Sequence, residues 1–232
     1  MASIFITGNS NGLGLGLARY YLAQGDQVYG LSRSACPLQN PQLRQRAQDL
    51  KDFDGLPAAL DDLLPGSLDL AVLNAGVLGE IQDLADTPLA QAREVMDINL
   101  WANKAIIDYL IQRPVETGQL ILVSSGASVN GNRGWGAYSL SKAALNMMAK
   151  LYAQEMPATH VTAYAPGIIH TRMQDYLCRE VDTTRFPSVG KLVSAYQTPH
   201  MPDIDSAASS IAASFERCRE FPSGSFVDIR QL

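Results

Sequence analysis

Short apolar segments alternate with longer segments of helical periodicity along most of the chain. The apolar segments are five or six residues long and are β-branched or apolar almost throughout. Segments of this kind predict strands that are covered on both faces, as in parallel sheets. The alternation therefore predicts an α/β fold, a Rossmann-type doubly wound parallel sheet with helices on both faces in three layers. We expect residues 1–232 to form it as a single domain.

The same patterns give the bounds of the expected elements. Strands are predicted at Ser3–Thr7, Gln27–Ser32, Leu68–Leu73, Gln119–Ser124 and His160–Tyr164, with weaker patterns at Arg46–Leu50 and Ser225–Ile229. Helices are predicted at Gly14–Gln24, Pro57–Leu64, Thr87–Arg113, Gly136–Met156 and Ser206–Glu220. Residues 173–205 contain three prolines and little periodicity. Such a stretch is typical of a substrate-binding loop or lid, and a poorly ordered insertion is the alternative.

Charge and cysteine content narrow the classes of partner. The net charge is −5. Proteins that bind nucleic acids or anionic membranes carry clustered lysine and arginine, so we expect neither as a partner. The three cysteines form neither a CxxC pair nor a metal-ligand spacing, so we expect no metal. We find no signal-peptide pattern and no apolar stretch long enough to span a bilayer, so we expect a cytoplasmic protein. These features favour a small-molecule ligand.

A glycine-rich turn follows the first predicted strand. It reads TGNSNGLG from Thr7 to Gly14 and leads directly into a helix. Glycines here allow close approach of the backbone to a pyrophosphate, and the helix N-terminus supplies free N–H groups. A tight strand–helix connection without a ligand is the alternative. The place of the turn, at the first strand–helix junction, favours a dinucleotide site.

The end of the second predicted strand bears on which dinucleotide is bound. In dinucleotide-binding folds an acid at this place binds the 2′-hydroxyl of NAD, whereas an arginine accommodates the 2′-phosphate of NADP. This chain has Ser32 and Arg33 there and no acid. We therefore expect NADP(H) to be preferred over NAD(H); an ordinary surface position for Arg33 is the alternative.

A tyrosine and a lysine lie four residues apart at the start of a predicted helix. Tyr138 and Lys142 share one helix face, so the phenol and the ammonium point the same way. A nearby positive charge favours phenolate, and Tyr138 can then exchange a proton with a carbonyl or alcohol oxygen. The spacing is also common by chance. Its context favours a site, because Ser125, the LNAG sequence ending at Gly76 and the Pro166–Gly167 pair all follow predicted strands at one edge of the sheet.

The motifs together resemble those of the short-chain dehydrogenase/reductase superfamily over essentially the whole chain. TGxxxGxG, LNAG, Asn99, Ser125, YxxxK and PGxxxT occur in its order and spacing. The resemblance implies an NADPH-dependent carbonyl reductase with Tyr138 as general acid/base. Lys142 would lower the pKa of Tyr138 and hold the nicotinamide ribose. Ser125, thirteen residues before Tyr138 as in the family, would orient the substrate carbonyl, and Asn99 would hold a water that links Lys142 to solvent.

The resemblance also implies the cofactor contacts. Asn74 and Gly76 would line the adenosine ribose, Asp49 and Leu50 would flank the adenine, and Ile169 and Thr171 would touch the nicotinamide amide. The full expected set is Gly8, Ser10, Asn11, Gly12, Leu13, Gly14, Ser32, Arg33, Asp49, Leu50, Asn74, Ala75, Gly76, Tyr138, Lys142, Pro166, Gly167, Ile169 and Thr171. Two features depart from the family. Asn11 replaces a basic residue that many NADP-using members carry, and the segment from Arg33 to Asp49 is too short for the usual complete helix.

Within the superfamily the chain resembles the sepiapterin reductase and benzil reductase branch. The sequences SSGA, GWGAY, TRMQ and PSGSFVD carry this resemblance. It implies reduction of a small ketone or a vicinal dicarbonyl, with Ser125, Trp135, Met173 and Asp228 binding substrate. An acid at the position of Asp228 anchors the pterin amino group in sepiapterin reductases, and a purely structural role for Asp228 is the alternative.

Two other functions remain open at this point. One is a 3-oxoacyl or hydroxysteroid dehydrogenase of the same fold, and the other is a non-catalytic NADP-binding sensor or signalling protein. The superfamily commonly pairs the helix after Tyr138 and the Asn99 helix across a two-fold axis. The first of these helices is apolar around more of its circumference than one sheet covers, so we expect a homodimer or homotetramer.

Overall fold

A seven-stranded parallel sheet forms the centre of the molecule in a computed structural model that describes residues 1–232. Its strands lie in the order β3-β2-β1-β4-β5-β6-β7, and every neighbouring pair is parallel. The strands are β1 (Ser3–Thr7), β2 (Gln27–Ser32), β3 (Leu43–Ala47), β4 (Ser67–Leu73), β5 (Glu116–Val123), β6 (His160–Ala165) and β7 (Phe226–Asp228). The strand order reverses direction between β1 and β4, where doubly wound folds bind their ligands. The expected Rossmann-type fold is confirmed.

Helices cover both faces of this sheet. They are α1 (Gly12–Ala23), α2 (Leu56–Leu63), α3 (Leu89–Met96), α4 (Ala102–Gln112), α5 (Gly136–Glu155), α6 (Arg172–Arg179), α7 (Gly190–Ala195) and α8 (Ile204–Cys218). A cluster of 26 buried residues packs α2, α4 and α5 onto one face, and a cluster of 21 packs α1 and α8 onto the other. None of these helices has the length and apolar character needed to cross a membrane.

The predicted helix Thr87–Arg113 is divided into three parts. A π-helical segment, Asp97–Trp101, separates α3 from α4 and places Asn99 in its middle. Insertions of this kind are rare and are frequent at functional sites. Hydrophobic periodicity runs through both halves of the helix, so the sequence pattern does not mark the interruption.

Two other elements differ from the sequence prediction. The strand expected at Arg46–Leu50 is found at Leu43–Ala47, an edge strand that is exposed except at partly buried Leu43. Residues 173–205, expected to be irregular, contain most of α6, a 3₁₀ turn at Pro187–Val189 and α7. Each of these helical segments is at most eight residues long, too short to give a periodic signal. No helix occurs between Arg33 and Asp49, as expected.

Candidate active site

A cleft of about 1210 Å³ lies along the carboxyl edge of the sheet, between the turn after β1 and residues 173–205. It runs past the ends of β2, β4, β5 and β6 and reaches β7 at its far side. All of the expected catalytic, cofactor and substrate residues line this cleft, with the exceptions of Gly14 and Asn99. The residues predicted from the ends of the strands therefore lie together in the fold.

The glycine-rich turn forms one end of the cleft. Gly8 and Gly12 have positive φ angles of 73° and 55°, a conformation that favours glycine. Gly14 lies behind the turn, and a Cβ there would stand 2.3 Å from the carbonyl oxygen of Gly8. Gly14 therefore lets α1 pack closely under the turn and does not line the cleft itself.

The N-terminus of α1 opens into the same end of the cleft. Its first residue is preceded by Asn11, whose side chain makes no capping hydrogen bond, and its first turn carries no acid. The free backbone N–H groups and the positive end of the helix dipole therefore remain available to an anion. Asn74 supports the turn from β4, because its Nδ2 donates to the carbonyl of Thr7 at 3.0 Å. The turn fits a pyrophosphate.

Arg33 lies exposed at the rim of the cleft, where β2 ends. It has no carboxylate partner, whereas Arg46 on the neighbouring strand approaches Asp62 at 3.5 Å. Ser32 beneath it is buried and donates its hydroxyl to the carbonyl of Ser34 at 2.7 Å. Asp49 lines this same end. An unpaired guanidinium at this place can bind a phosphate.

Ser125 follows the end of β5. Its hydroxyl accepts a hydrogen bond from the Ala127 N–H at 3.1 Å. The neighbouring Ser124 is buried, and its hydroxyl donates to Oδ1 of Asn146 on α5 at 2.6 Å. Asn146 in turn donates to the hydroxyl of Ser128 at 2.8 Å. Ser124 is therefore committed to holding the loop against α5, which leaves Ser125 as the serine available to a ligand.

Tyr138 and Lys142 lie one turn apart on α5, and the Lys142 ammonium is 5.8 Å from the centroid of the tyrosine ring. Lys142 is buried, and its Nζ donates to the carbonyl of Val123 at the end of β5, 2.6 Å away. Burial lowers the pKa of Lys142 from 10.5 to about 8. Burial also raises the pKa of Tyr138, while a hydrogen bond from the nearby Ser125 hydroxyl acts in the opposite direction. Together these effects raise the pKa of Tyr138, and the lowering of this pKa by Lys142 stays a prediction.

Asn99 lies behind the cleft and is fully buried. Its Oδ1 accepts from the Val77 N–H and its Nδ2 donates to the Val77 carbonyl, each at 2.8 Å. The same Nδ2 also donates to the Ser141 hydroxyl at 3.0 Å, which links the π-helical segment to α5. The backbone carbonyl of Asn99 accepts from Nδ2 of Asn103 at 2.7 Å. Asn99 thus positions the strand-end loop and α5 relative to each other.

The opposite end of the cleft is formed by residues 173–205 and the residues after β7. The Trp135 ring lies 6.2 Å from the Tyr138 ring between centroids, and its Nε1 donates to the Ser188 hydroxyl at 2.9 Å. Met173 lines the cleft from α6. Asp228 also lines it, and both carboxylate oxygens accept from the guanidinium of Arg230, at 2.7 and 2.5 Å. That pairing holds the pKa of Asp228 below its ordinary value.

Several lining residues carry no signal in the sequence. Arg230 follows the last strand in a short 3₁₀ turn, and Asn130 lies in an exposed loop between β5 and α5. Lys191 lies on α7, in the stretch that showed no periodicity. Arg230 directly follows the weakly predicted strand Ser225–Ile229 but belongs to no motif of fixed spacing, and Asn130 and Lys191 follow no predicted strand.

Comparison with known proteins places the chain in a family. The family profile for short chain dehydrogenase matches residues 2–182. A Saccharomyces cerevisiae benzil reductase that forms (S)-benzoin is 33% identical over 191 residues, which are 74% of this chain and 73% of that protein. A Bacillus subtilis benzil reductase of the same specificity is 26% identical over 100% of each chain.

Solved structures give the same result for the fold. A crystal structure of a short chain dehydrogenase/reductase from Saccharomyces cerevisiae superposes with a TM-score of 0.87 at 24% identity, covering 99% of this chain and 96% of that one. The resemblance to benzil reductases noted from the sequence is confirmed. The chain therefore belongs to the short chain dehydrogenase family and is a nicotinamide-dependent oxidoreductase that acts on CH–OH and C=O groups.

Proposed function

We propose that the protein is an NADPH-dependent carbonyl reductase that reduces a small ketone or 1,2-dicarbonyl compound. The observation that carries this proposal is the convergence of Ser125, Tyr138 and Lys142 on one cleft that also contains an uncapped glycine-rich turn and the unpaired Arg33. A non-catalytic nucleotide sensor has no use for the first three residues together. The relatives named benzil reductase support a dicarbonyl substrate.

The proposed chemistry follows from what each side chain can do. A bound nicotinamide ring supplies the hydride. Tyr138 donates its phenolic proton to the carbonyl oxygen as negative charge develops there, and Ser125 donates a hydrogen bond that orients the same oxygen. Lys142 lies close enough to stabilise the phenolate that remains. Trp135 provides a flat wall beside Tyr138, which suits a substrate with an aromatic group.

A 1,2-dicarbonyl is the substrate class that we favour. The second carbonyl withdraws electron density from the first, so hydride attack is easier than on an isolated ketone. Residues 173–205 act as a lid over this substrate, because Met173, Leu177 and Ser188 of this stretch line the cleft and Ser188 accepts a hydrogen bond from Trp135. Closure of such a lid excludes water from the reacting groups.

The test of this proposal is steady-state reduction of benzil, sepiapterin, an acyl thioester and a steroid ketone, followed by nicotinamide absorbance. We expect benzil to be reduced, and Tyr138→Phe to lower kcat by a factor on the order of 10²–10⁴ because the transferable proton is lost. Tyr20→Phe, on the surface helix α1, is the matched control and keeps its rate. Near-normal turnover by Tyr138→Phe contradicts the mechanism. Turnover of only the thioester or the steroid contradicts the substrate class.

The cofactor preference is tested separately. We expect a higher kcat/KM for NADPH than for NADH, because the Arg33 guanidinium forms charge-assisted hydrogen bonds with a 2′-phosphate. Arg33→Ala should remove most of this preference. Its kcat/KM for NADH should stay within about threefold of the wild-type value, since substitutions of exposed residues change stability little. Arg46→Ala, which removes the neighbouring arginine outside the cleft, is the control. A wild-type preference for NADH, or an unchanged ratio in Arg33→Ala, contradicts the assignment.

A further inference from the structure

The space directly beyond Ser125 is bordered by nitrogen donors. Gly126 follows Ser125, and a Cβ built on it would lie 3.6 Å from Nη2 of Arg230 and 3.7 Å from Nδ2 of Asn130. Guanidinium and amide NH₂ groups donate hydrogen bonds and do not accept them. The absence of a side chain at Gly126 leaves this space open to a ligand that occupies the cleft.

Arg230 is held in place by the carboxylate that the sequence assigned to the substrate. Its Nε and Nη2 donate to the two oxygens of Asp228, at 2.7 and 2.5 Å, and its backbone N–H donates to the same carboxylate at 3.0 Å. The Asp228 side chain is only 10% exposed, whereas that of Arg230 is 73% exposed. The fork uses two of the five N–H donors of the guanidinium, so three remain for a ligand.

The charge of the cleft also favours a ligand that accepts hydrogen bonds. Although the chain carries a net charge of −5, five cleft-lining residues are lysine or arginine and two are aspartate. Of those aspartates, Asp49 lies at the end near Arg33, and Asp228 is bound by Arg230. Lys191, on α7, lines the cleft without a carboxylate partner. The substrate end therefore presents positive charge and hydrogen-bond donors.

We propose that Arg230, together with Asn130, binds an anionic group on the carbon next to the reacting carbonyl. The substrate class is then a 2-oxo acid with an aromatic or apolar substituent, whose carboxylate stands where a neutral diketone has its second carbonyl. Asp228 accepts hydrogen bonds from Arg230 and not from an amino group of the substrate. This assignment rests on the proposed carbonyl reductase activity. The substrate then carries a carboxylate that accepts hydrogen bonds, in place of the hydrogen-bond-donating amino group of a pterin.

Binding tests this inference without turnover. Benzoylformate and its methyl ester share the phenyl ring and the ketone and differ in charge. We titrate each into the protein saturated with oxidised cofactor, which cannot reduce a ketone, and measure Kd by calorimetry. Benzoylformate should bind more tightly than the ester, and Arg230→Gln should weaken it roughly ten- to hundredfold because hydrogen bonds to a charged group are lost. The Kd of the methyl ester should change by less than about threefold in Arg230→Gln. Arg217→Gln, an exposed arginine of α8 outside the cleft, is the matched control.

The kinetic arm separates failure of this inference from failure of the proposed function. Arg230→Gln should lower kcat/KM for benzoylformate roughly ten- to hundredfold and should lower kcat/KM for the methyl ester and for benzil by much less, because these neutral substrates lose no charge-assisted hydrogen bond. Equal binding of acid and ester by the wild type, or equal losses for both in Arg230→Gln, overturns the role of Arg230 while the reductase activity stands. If no ketone is reduced but benzoylformate still binds through Arg230, the reductase proposal fails and the anion site stands.

Discussion

Lys142 is a buried ammonium whose only hydrogen-bond acceptor is a backbone carbonyl, that of Val123. No carboxylate compensates the charge, so its burial opposes folding whenever the amine is protonated. The lowering of its pKa from 10.5 to about 8 corresponds to about 3 kcal/mol at neutral pH. The protein keeps this unfavourable charge at the place where the proposed reaction needs it.

A pH-dependent stability difference should follow. In the cofactor-free protein the unfolded chain binds the Lys142 proton more tightly than the folded chain does between about pH 8 and 10.5. Stability due to this group therefore rises with pH across that window. We expect Lys142→Met to be more stable than wild type at pH 7, and the gap to shrink towards pH 10.5, in urea unfolding.

The control for this experiment is Lys150→Met, an exposed lysine on the same helix. Its stability difference from wild type should not vary across the same pH range. A constant difference for Lys142→Met would show that the pKa of this amine is the same in the folded and unfolded chains, which contradicts its lowering by burial.

Individual site residues were predictable where they directly follow a predicted strand or belong to a motif of fixed spacing. Ser125 and Tyr138 stand in motifs whose spacing the sequence shows directly, and both line the cleft. The water that Asn99 is expected to hold near Lys142 stays a prediction. The side-chain bonds of Asn99 to the backbone of Val77, 22 residues earlier in the chain, could not be predicted from motif spacing. Arg230 was missed because its position depends on a carboxylate fork that forms only in the folded 3₁₀ turn.

At the scale of elements, residues 173–205 are attached to the rest of the molecule by a charged cluster. Asp83, after β4, accepts from Arg133 at 2.5 and 2.7 Å and from Arg185 at 2.9 Å. Arg185 belongs to the proposed lid, and Phe186 beside it packs close to Gly134. The two arginines lower the pKa of Asp83. The cluster therefore joins the lid to the loop that leads to Tyr138.

Loosening this cluster should affect substrate binding more than chemistry. Exposed ion pairs contribute little each, so we expect Asp83→Asn to raise KM for the carbonyl substrate roughly two- to fivefold with kcat nearly unchanged. Trypsin should also cleave faster at Arg185. Glu94→Gln, which removes the ion pair with Lys51 outside the lid, is the control. An unchanged KM together with an unchanged rate of cleavage would contradict the lid assignment.

The elements that the sequence predicted poorly share a physical cause. Central strands are buried on both faces, so their composition alone marks them, and β1 and β2 occur at the predicted bounds. The edge strand β3 has four exposed residues of five and resembles a loop in composition. The lid helices are short and form through contacts with Ile81 and Leu78 rather than through their own periodicity.

At the scale of the whole molecule, α5 leaves an apolar surface uncovered. Leu140, Met147 and Leu151 recur at the spacing of one helix face and are each more than half exposed. Two further apolar side chains are exposed nearby in the sequence: Trp101, at the end of the π-helical segment, and Ile111, on α4. Exposed apolar side chains that share one helix face, as on α5, are typical of an interface between identical subunits.

We expect the protein to be at least a homodimer through this surface. Light scattering at micromolar concentration should give twice or four times the mass of one chain. The double variant Met147→Glu, Leu151→Glu should give the mass of one chain, because two charges at the centre of a symmetric interface oppose each other. Phe53→Glu, at an exposed position before α2, should keep the wild-type mass. A wild-type mass of one chain would contradict the interface.

The packing of α1 against α8 has a consequence for synthesis on the ribosome. Both helices cover the same face of the sheet, but α1 begins at Gly12 and α8 ends at Cys218. During translation the apolar side chains of β1, β4 and β5 on that face emerge long before the helix that shields them. Strand β1 also pairs with β4, which lies about sixty residues further along the chain. Part of the apolar surface of these strands therefore stays uncovered in the nascent chain until α8 has been synthesised.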